Sequence, residues 1–305
     1  VTPDWIAVDW IAVDWGTTRL RTWAMRGTQA VEARASDRGM GALSPAGFEP
    51  ALLDLVSDWL PASGRIRVIA CGMVGARGGW TEAAYRAIPC PPLDPLQAIH
   101  APAIDPRLDV RILPGLSQND PPDVMRGEET QIAGFLAENP DFDGTLCLPG
   151  THCKWVRLAR GRVVGFRTFL TGELFSLLAG QSVLRLTIGT AKPDATAFAR
   201  AGALALADPH AANAQLFTLR AAALLQGLTP EQAAGRLSGL LIGAELAAAR
   251  DLWQGNSTVI IGTAGLAQLY EDLLLAAGAK ACQKDGAALV LAGLVAASLA
   301  LPENT

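Results

Sequence analysis

The stretch Trp10-Ile11-Ala12-Val13-Asp14-Trp15-Gly16-Thr17-Thr18-Arg19 decides the fold. Its β-branched and aromatic run reads as a buried strand, and Gly16 lets the chain reverse where a side chain would clash. The strand delivers Asp14 to a tight turn. Thr17 and Thr18 set two hydroxyls and their backbone N–H groups on that turn, a concavity able to cradle phosphate oxygens. Asp14 stands beside it, where a carboxylate can hold the waters of a magnesium ion. Leu20 to Met25 alternates polar and apolar residues and reads as the second strand of the hairpin. Asp and Gly are also ordinary hairpin residues, so the phosphate reading depends on partners elsewhere.

Two partners follow. Thr145 to Leu148 reads as a strand entering Pro149-Gly150-Thr151-His152, then come strands Lys154 to Ala159 and Val163 to Leu170, and Thr171-Gly172-Glu173 opens a helix through Val183. This echoes the opening of the chain, and two such half-units facing one another would clamp a polyphosphate from both ends. Later, the strand Ser257 to Ile261 meets Gly262-Thr263-Ala264-Gly265 and a helix start, where a nucleotide can approach the backbone closely. His152 and Cys153 lack the second pair of ligands that a metal site needs.

Between the first two turns, Ala30 to Ala35 reads as a strand, Phe48 to Leu60 as a helix ended by Pro61, and Arg65 to Cys71 as a buried strand. That strand runs into Gly72-Met73-Val74-Gly75-Ala76-Arg77-Gly78-Gly79-Trp80, a glycine loop with one cation and one large aromatic. It suits a ligand, or is a plain turn with a surface arginine. Pro89 to Pro122 holds nine prolines and reads as irregular, with short strands near Ile99 and at Val110 to Leu113. Met125-Arg126-Gly127-Glu128-Glu129-Thr130-Gln131 then opens a helix through Glu138. Acids in a first turn are ordinary helix-dipole charges, yet two side by side also allow one to be aimed into a cleft as a proton acceptor. Asp194 to Ala207 and Phe217 to Gln226 look helical, and Thr229-Pro230-Glu231-Gln232 is a capping start for a helix to about Leu252.

The bulk properties set limits. With 305 residues, 50% hydrophobic and 18% charged, the chain can build two packed cores, and a net charge of −4 without a basic block offers no nucleic-acid surface. Five cysteines without paired short spacings suggest neither a zinc site nor a disulfide framework, and fit a reducing cytoplasm. No secretory signal is expected from a start carrying Asp4, Asp9 and Asp14. Gly286 to Leu301 is uncharged but short for a membrane span, and reads as a buried alanine-rich helix. Asp4 to Val8 is repeated as Asp9 to Val13. A five-residue repeat turns its second copy to the opposite strand face, so residues 1–9 are expected to be a loosely held duplication or start-site extension.

In this order, the Asp14-x-Gly16-Thr17-Thr18, Gly150-Thr151 and Gly262-Thr263-Ala264-Gly265 segments resemble the phosphate-1, phosphate-2 and adenosine motifs of the sugar kinase, heat-shock chaperone and actin superfamily. More closely, Ala12 to Thr18, Cys71-Gly-Met-Val-Gly75, Met125 to Gln131, Leu148-Pro-Gly-Thr-His-Cys-Lys-Trp155 and Phe169-Leu-Thr-Gly-Glu173 resemble the 2-dehydro-3-deoxygalactonokinase family, over nearly the whole chain from Trp10. The resemblance implies an α/β fold of two ribonuclease H-like (actin-like ATPase) domains, each a mixed βββαβ-type sheet with flanking helices, facing across a cleft. Residues 1–143 with the C-terminal helix 286–301 would form one domain and residues 144–285 the other. It implies phosphorylation of 2-dehydro-3-deoxy-D-galactonate on its 6-hydroxyl by ATP, in cytoplasmic galactonate catabolism.

By the same resemblance, Asp14 would orient Mg2+, while Gly16, Thr17 and Thr18, and then Gly150, Thr151 and Lys154, would hold phosphates. Gly262, Thr263 and Gly265 would face the adenosine. The second turn lacks the acidic residue that many superfamily members carry there, so the proton acceptor lies elsewhere. Glu128 leads, because its Gly-Glu-Glu setting resembles the catalytic glutamate of the exopolyphosphatase branch; Glu129 and Asp14 are the reserves. A substrate carboxylate wants a guanidinium fork, for which Arg77, on its loop with Gly75 and Trp80, precedes Arg126. The alternatives are a kinase of another small sugar or keto-deoxy acid and an actin-like ATP-driven switch. A homodimer stays open.

Overall fold

The computed structural model describes residues 8–302. The chain divides into two units, one running to Phe142 and including Arg160–Val164 and the chain from Gly286, the other made of Asp143–Ala159 and Gly165–Asp285. Residues 1–7, which hold most of the expected extension, lie outside the described residues. Asp9 is held, contrary to that expectation: its N–H donates to Met25 O at 2.8 Å and its carboxylate accepts from Gly27 N–H at 2.6 Å.

In the first unit the elements are β1 (Trp10–Trp15), β2 (Leu20–Arg26), β3 (Gln29–Ser36), α1 (Phe48–Val56), β4 (Ile66–Gly72), β5 (Tyr85–Ala87), β6 (Ile99–His100), β7 (Leu108–Ile112), β8 (Gly115–Asn119), β9 (Pro122–Met125) and α2 (Glu128–Glu138). The main sheet has the order β3-β2-β1-β4-β7-β6, with β1 antiparallel to β2 and parallel to β4. β1 and β4 sit centrally and are covered on both sides, which is why they read as unbroken apolar runs. Successive side chains of β1 serve opposite faces. Ile11, Val13 and Trp15 pack with Phe48, Leu52 and Val56 of α1, while Trp10 and Ala12 join Ile69 and Cys71 on the other side. The proline-rich stretch is more ordered than expected, since it also contains β8, which pairs with β5 before it and β9 at its end in a three-stranded sheet. Pro122 opens β9, a position where a missing N–H costs no ladder bond.

The second unit repeats the plan with β10 (Gly144–Leu148), β11 (Cys153–Ala159), β12 (Arg162–Phe169), α3 (Thr171–Gly180), α4 (Arg185–Ile188), α5 (Ala195–Ala207), α6 (Pro209–Leu225), α7 (Pro230–Ala248), α8 (Arg250–Trp253), β13 (Ser257–Gly262), α9 (Ala264–Ala276) and β14 (Lys280–Asp285). Its sheet order is β12-β11-β10-β13-β14, again a central strand antiparallel to its hairpin partner and parallel to the next. Three boundaries differ from expectation. The helix opened at Thr171 stops at Gly180 and α4 follows; α6 starts at Pro209 rather than Phe217; the helix capped by Thr229 stops at Ala248 before α8. The edge strand β14, half to fully exposed, has no apolar run to announce it. The Thr229–Gln232 capping box is present as read.

The chain ends in α10 (Gly286–Ala300), which lies on α2 and covers the Trp10 face of β1 through Val290, Leu294 and Ala297. No helix among the described residues is long and apolar enough to cross a membrane. The two helices meet backbone to backbone: a Cβ at Gly293 would overlap Thr130 O, and one at Gly134 would overlap Leu289 O. Replacing Gly293 by Ala must push α10 off α2, and is expected to lower the unfolding free energy by about 1–3 kcal/mol. Urea unfolding checks this; an unchanged midpoint would refute the close approach.

Candidate active site

The first Gly-Thr turn is closed by Gly16 N–H donating to Arg19 O at 2.8 Å. It is backed from behind, where Met40 N–H donates to Gly16 O at 3.0 Å and Gly41 N–H to Thr17 O at 2.9 Å. A Cβ at Gly39 would overlap the backbone of Thr17 and Thr18, so only glycine permits this support. Thr17 and Thr18 are exposed. Asp14 pairs with Arg21 across the hairpin, and Arg21 Nε and Nη2 both donate to Oδ2, the former at 3.0 Å. Among the described residues Oδ1 has one hydrogen-bonding neighbour, the Cys71 thiol, with Sγ at 3.8 Å. One hard oxygen is therefore available to the hydration shell of a magnesium ion, and the residues fit that ion. Arg21 escaped the sequence reading; its signal was the hairpin register, which sets it directly opposite Asp14.

Parallel pairing of β1 with β4 places Asp14 beside Cys71, and the start of α2 sits on the end of β4, where a Cβ at Gly127 would lie 3.4 Å from Gly72 Cα. The two glutamates of α2 have different settings. Glu129 is fully enclosed and both its oxygens accept from Gly127 N–H, at 2.9 and 2.7 Å. Burial, then the charge of Glu128, pushes its pKa up to about 8. Glu128 is only half-buried, and its Oε2 accepts from Arg126 N–H at 3.0 Å. The Cys71 thiol is pushed well up by burial and then by the charges of Asp14 and Glu129, so it stays neutral here.

On the glycine loop, Arg77 is exposed and makes no hydrogen bond or ion pair among the described residues. Arg126 is buried: Nη2 donates to Ala83 O at 2.6 Å, and the guanidinium lies over the Tyr85 ring at 4.3 Å. Gly75 leaves it room, since a Cβ there would stand 2.9 Å from Nη1. Trp80 corrects the sequence reading. It is buried with Trp15 and Phe48, stacked on the latter at 6.3 Å, so it anchors the loop from below and presents no face to a ligand.

The second turn is built like the first. Glu173 N–H donates to Thr151 O at 2.9 Å, and a Cβ at Gly172 would overlap Gly150 O. The ring Nε2 of His152 and Glu173 Oε2 are 2.8 Å apart, giving the histidine a positioning partner that sequence reading missed. Lys154 also departs from expectation: its ammonium is buried and donates to Thr168 Oγ1 at 2.8 Å instead of standing on the turn. Beside this turn lies a cavity of about 350 Å3, lined by Gly150, Thr151 and Thr171 on one side and by Leu266, Leu269 and Tyr270 of α9 on the other. Gly262 closes on the same turn, a Cβ there lying 3.6 Å from Pro149 Cδ, and Thr263 stands at the N-cap position of α9 without a side-chain capping bond. Beneath the cavity the buried Glu245 accepts from Trp155 Nε1 at 2.7 Å and from Tyr270 Oη at 2.8 Å. Its signal was a lone acid in the apolar stretch Leu240 to Ala249.

Two sheets of one plan, each with a Gly-Thr turn on its central hairpin and the second flanked by a cavity, define the actin-like ATPase fold in its sugar-kinase form. The profile of the 2-keto-3-deoxy-galactonokinase family matches residues 14–297. Among curated proteins, the 2-dehydro-3-deoxygalactonokinase of Escherichia coli (strain K12) is 36% identical over 267 residues, covering 86% of this chain and 88% of its own. A Rhizobium meliloti (strain 1021) protein named probable 2-dehydro-3-deoxygalactonokinase is 40% identical over 297 residues, with 94% and 95% covered. The crystal structure of a Sinorhizobium meliloti protein of the same provisional name superposes with a TM-score of 0.86 at 39% identity, over 95% of this chain and 98% of that one. Component A of the Acidaminococcus fermentans (R)-2-hydroxyglutaryl-CoA dehydratase, 11% identical with a TM-score of 0.54 over 96% of this chain and 99% of its own, shares the fold alone. The chain belongs to the 2-keto-3-deoxy-galactonokinase family and is a phosphotransferase.

Folded Glu129 keeps its proton up to about pH 8, whereas the unfolded chain releases it near 4.5. Between these values the folded state binds more protons, so this group's contribution to stability falls as pH rises and levels off above about 8. Glu129→Gln is expected to flatten that slope in denaturant unfolding measured across the interval; parallel curves for parent and variant would refute it.

Proposed function

We propose that this phosphotransferase moves the γ-phosphoryl group of ATP to the 6-hydroxyl of 2-dehydro-3-deoxy-D-galactonate, giving the 6-phosphate and ADP, in galactonate catabolism. The observation that carries the reading is Glu128, half-buried at the start of α2 against the strand end next to Asp14, with its neighbour Glu129 shut away and protonated. Of the acids considered, Glu128 is thus the one whose charge and access suit a general base for the acceptor hydroxyl. Asp14 is neutralised on one oxygen by Arg21 and offers the other to the waters of Mg2+. When bound, that ion supplies positive charge to the phosphate oxygens.

The backbone N–H groups and hydroxyls of Thr17 and Thr18, on the turn that Gly16 closes, hold phosphate in the first unit, and those at Gly150 and Thr151 in the second. The adenosine enters the cavity beside α9, against Gly262, Thr263 and Gly265. Arg77, exposed and uncommitted on the glycine loop, is the fork for the substrate carboxylate. Arg126, fixed by Ala83 and Tyr85, holds the base of that loop in place.

Coupled ADP release measured with the galactonate- and gluconate-derived keto-deoxy acids side by side tests the substrate; equal rates, or turnover of neither, would reject it. Glu128→Gln is expected to keep ATP binding and lose about 100- to 10,000-fold in kcat. Turnover near that of the parent would remove Glu128 from the role. Arg77→Ala is expected to raise KM for the keto acid about ten-fold or more and leave KM for ATP near its parent value. Equal effects on both would reject the carboxylate assignment.

A further inference from the structure

The second unit contains another cavity, of about 610 Å3, between α5, α6 and α7. Arg200 of α5 and Arg236 of α7 both line it. Most arginines among the described residues hydrogen-bond or ion-pair with an oxygen of the chain. Arg77, Arg160, Arg200 and Arg236 make no such contact among the described residues, and two of these four share this one cavity. The acid in its wall, Asp194, has its Oδ1 engaged at the start of α5, where it accepts from Ala197 N–H at 2.7 Å. The apolar part of the lining comes from Leu204, Leu219 and Leu240.

The guanidinium groups are carried on a stiff frame. Helices α5 and α7 touch backbone to backbone, since a Cβ at Gly235, Gly239 or Gly243 would overlap the carbonyl oxygen of Asp194, Phe198 or Gly202 respectively. Two like charges that line one cavity, carried on helices in close contact, repel one another, and an anion bound by both turns that repulsion into charge-assisted hydrogen bonds. A frame that does not have to be ordered on binding lowers the cost of holding such an anion. One helix also walls two cavities: Ser238, Leu241 and Ile242 of α7 face the cavity beside α9, and Arg236 and Leu240 face this one.

We infer that this cavity is a second ligand site, separate from the nucleotide cavity, for a small organic anion with a carboxylate or phosphate-monoester head on an apolar body. The inference does not depend on which sugar acid the protein phosphorylates. Phenyl phosphate and benzoate share a ring and differ in the head, so each is titrated into the full chain by calorimetry, with and without a saturating non-hydrolysable ATP analogue. At least one probe is expected to saturate a single site with equal affinity in both conditions. Its affinity should fall about ten-fold or more in the double variant Arg200→Ala, Arg236→Ala. That variant is expected to keep the parent kinase rate in the absence of probe, because both side chains are exposed and lie outside the nucleotide cavity. The stronger of the two probes identifies the head group. Failure of both to saturate below ~10 mM, unchanged binding by the double variant, or displacement by the ATP analogue would each overturn the assignment.

Discussion

The parallel register of β1 on β4 is the constraint on which the first unit's chemistry depends. It sets Asp14 beside Cys71, and because β4 ends against the start of α2, the same register brings Glu128 and Glu129 to that strand end. A slip of one residue would turn Asp14 into the core and Val13 toward the turn, since side chains alternate faces along a strand. The register is held by apolar packing on both sides of β1, with α1 under one face and α10 over the other. Hydrophobic burial, which has no directional preference of its own, thereby fixes the position of polar groups to within a hydrogen bond's length.

Both Gly-Thr turns solve the same problem. A turn that keeps its N–H groups pointed outward needs partners for its carbonyls behind it. In the first unit Met40 and Gly41 supply those donors and Gly39 allows the approach; in the second Glu173 supplies one and Gly172 allows it. Turns fixed in this way meet a charged ligand with little loss of freedom on binding.

Buried acids mark the other design feature. Glu129 and Glu245 are both enclosed and both have raised pKa values through burial, and each accepts hydrogen bonds: from Gly127 N–H for one, from Trp155 and Tyr270 for the other. A buried polar group so satisfied stabilises a single arrangement of its neighbours. Glu245 ties β11 to α9, and so ties the strand following the second turn to the helix that walls the cavity beside it.

Much of this was legible in the residues. The strands with unbroken apolar runs, the two turns, the capping box at Thr229 and the pairing of each turn with a hairpin follow from periodicity and from Gly and Thr chemistry, which are local. The sequence by itself thus determined the repeated βββαβ plan and the positions of Asp14, Thr17, Thr151 and Glu128 at strand ends, turns and a helix start. It did not reveal that Trp80 is a core residue, that Lys154 turns to Thr168, that Arg21 neutralises one oxygen of Asp14, or that Glu129 is sealed from solvent. Those outcomes depend on which element lies over which, and only the tertiary structure decided them, because burial and pairing across sheets and helices are set by residues far apart in the chain.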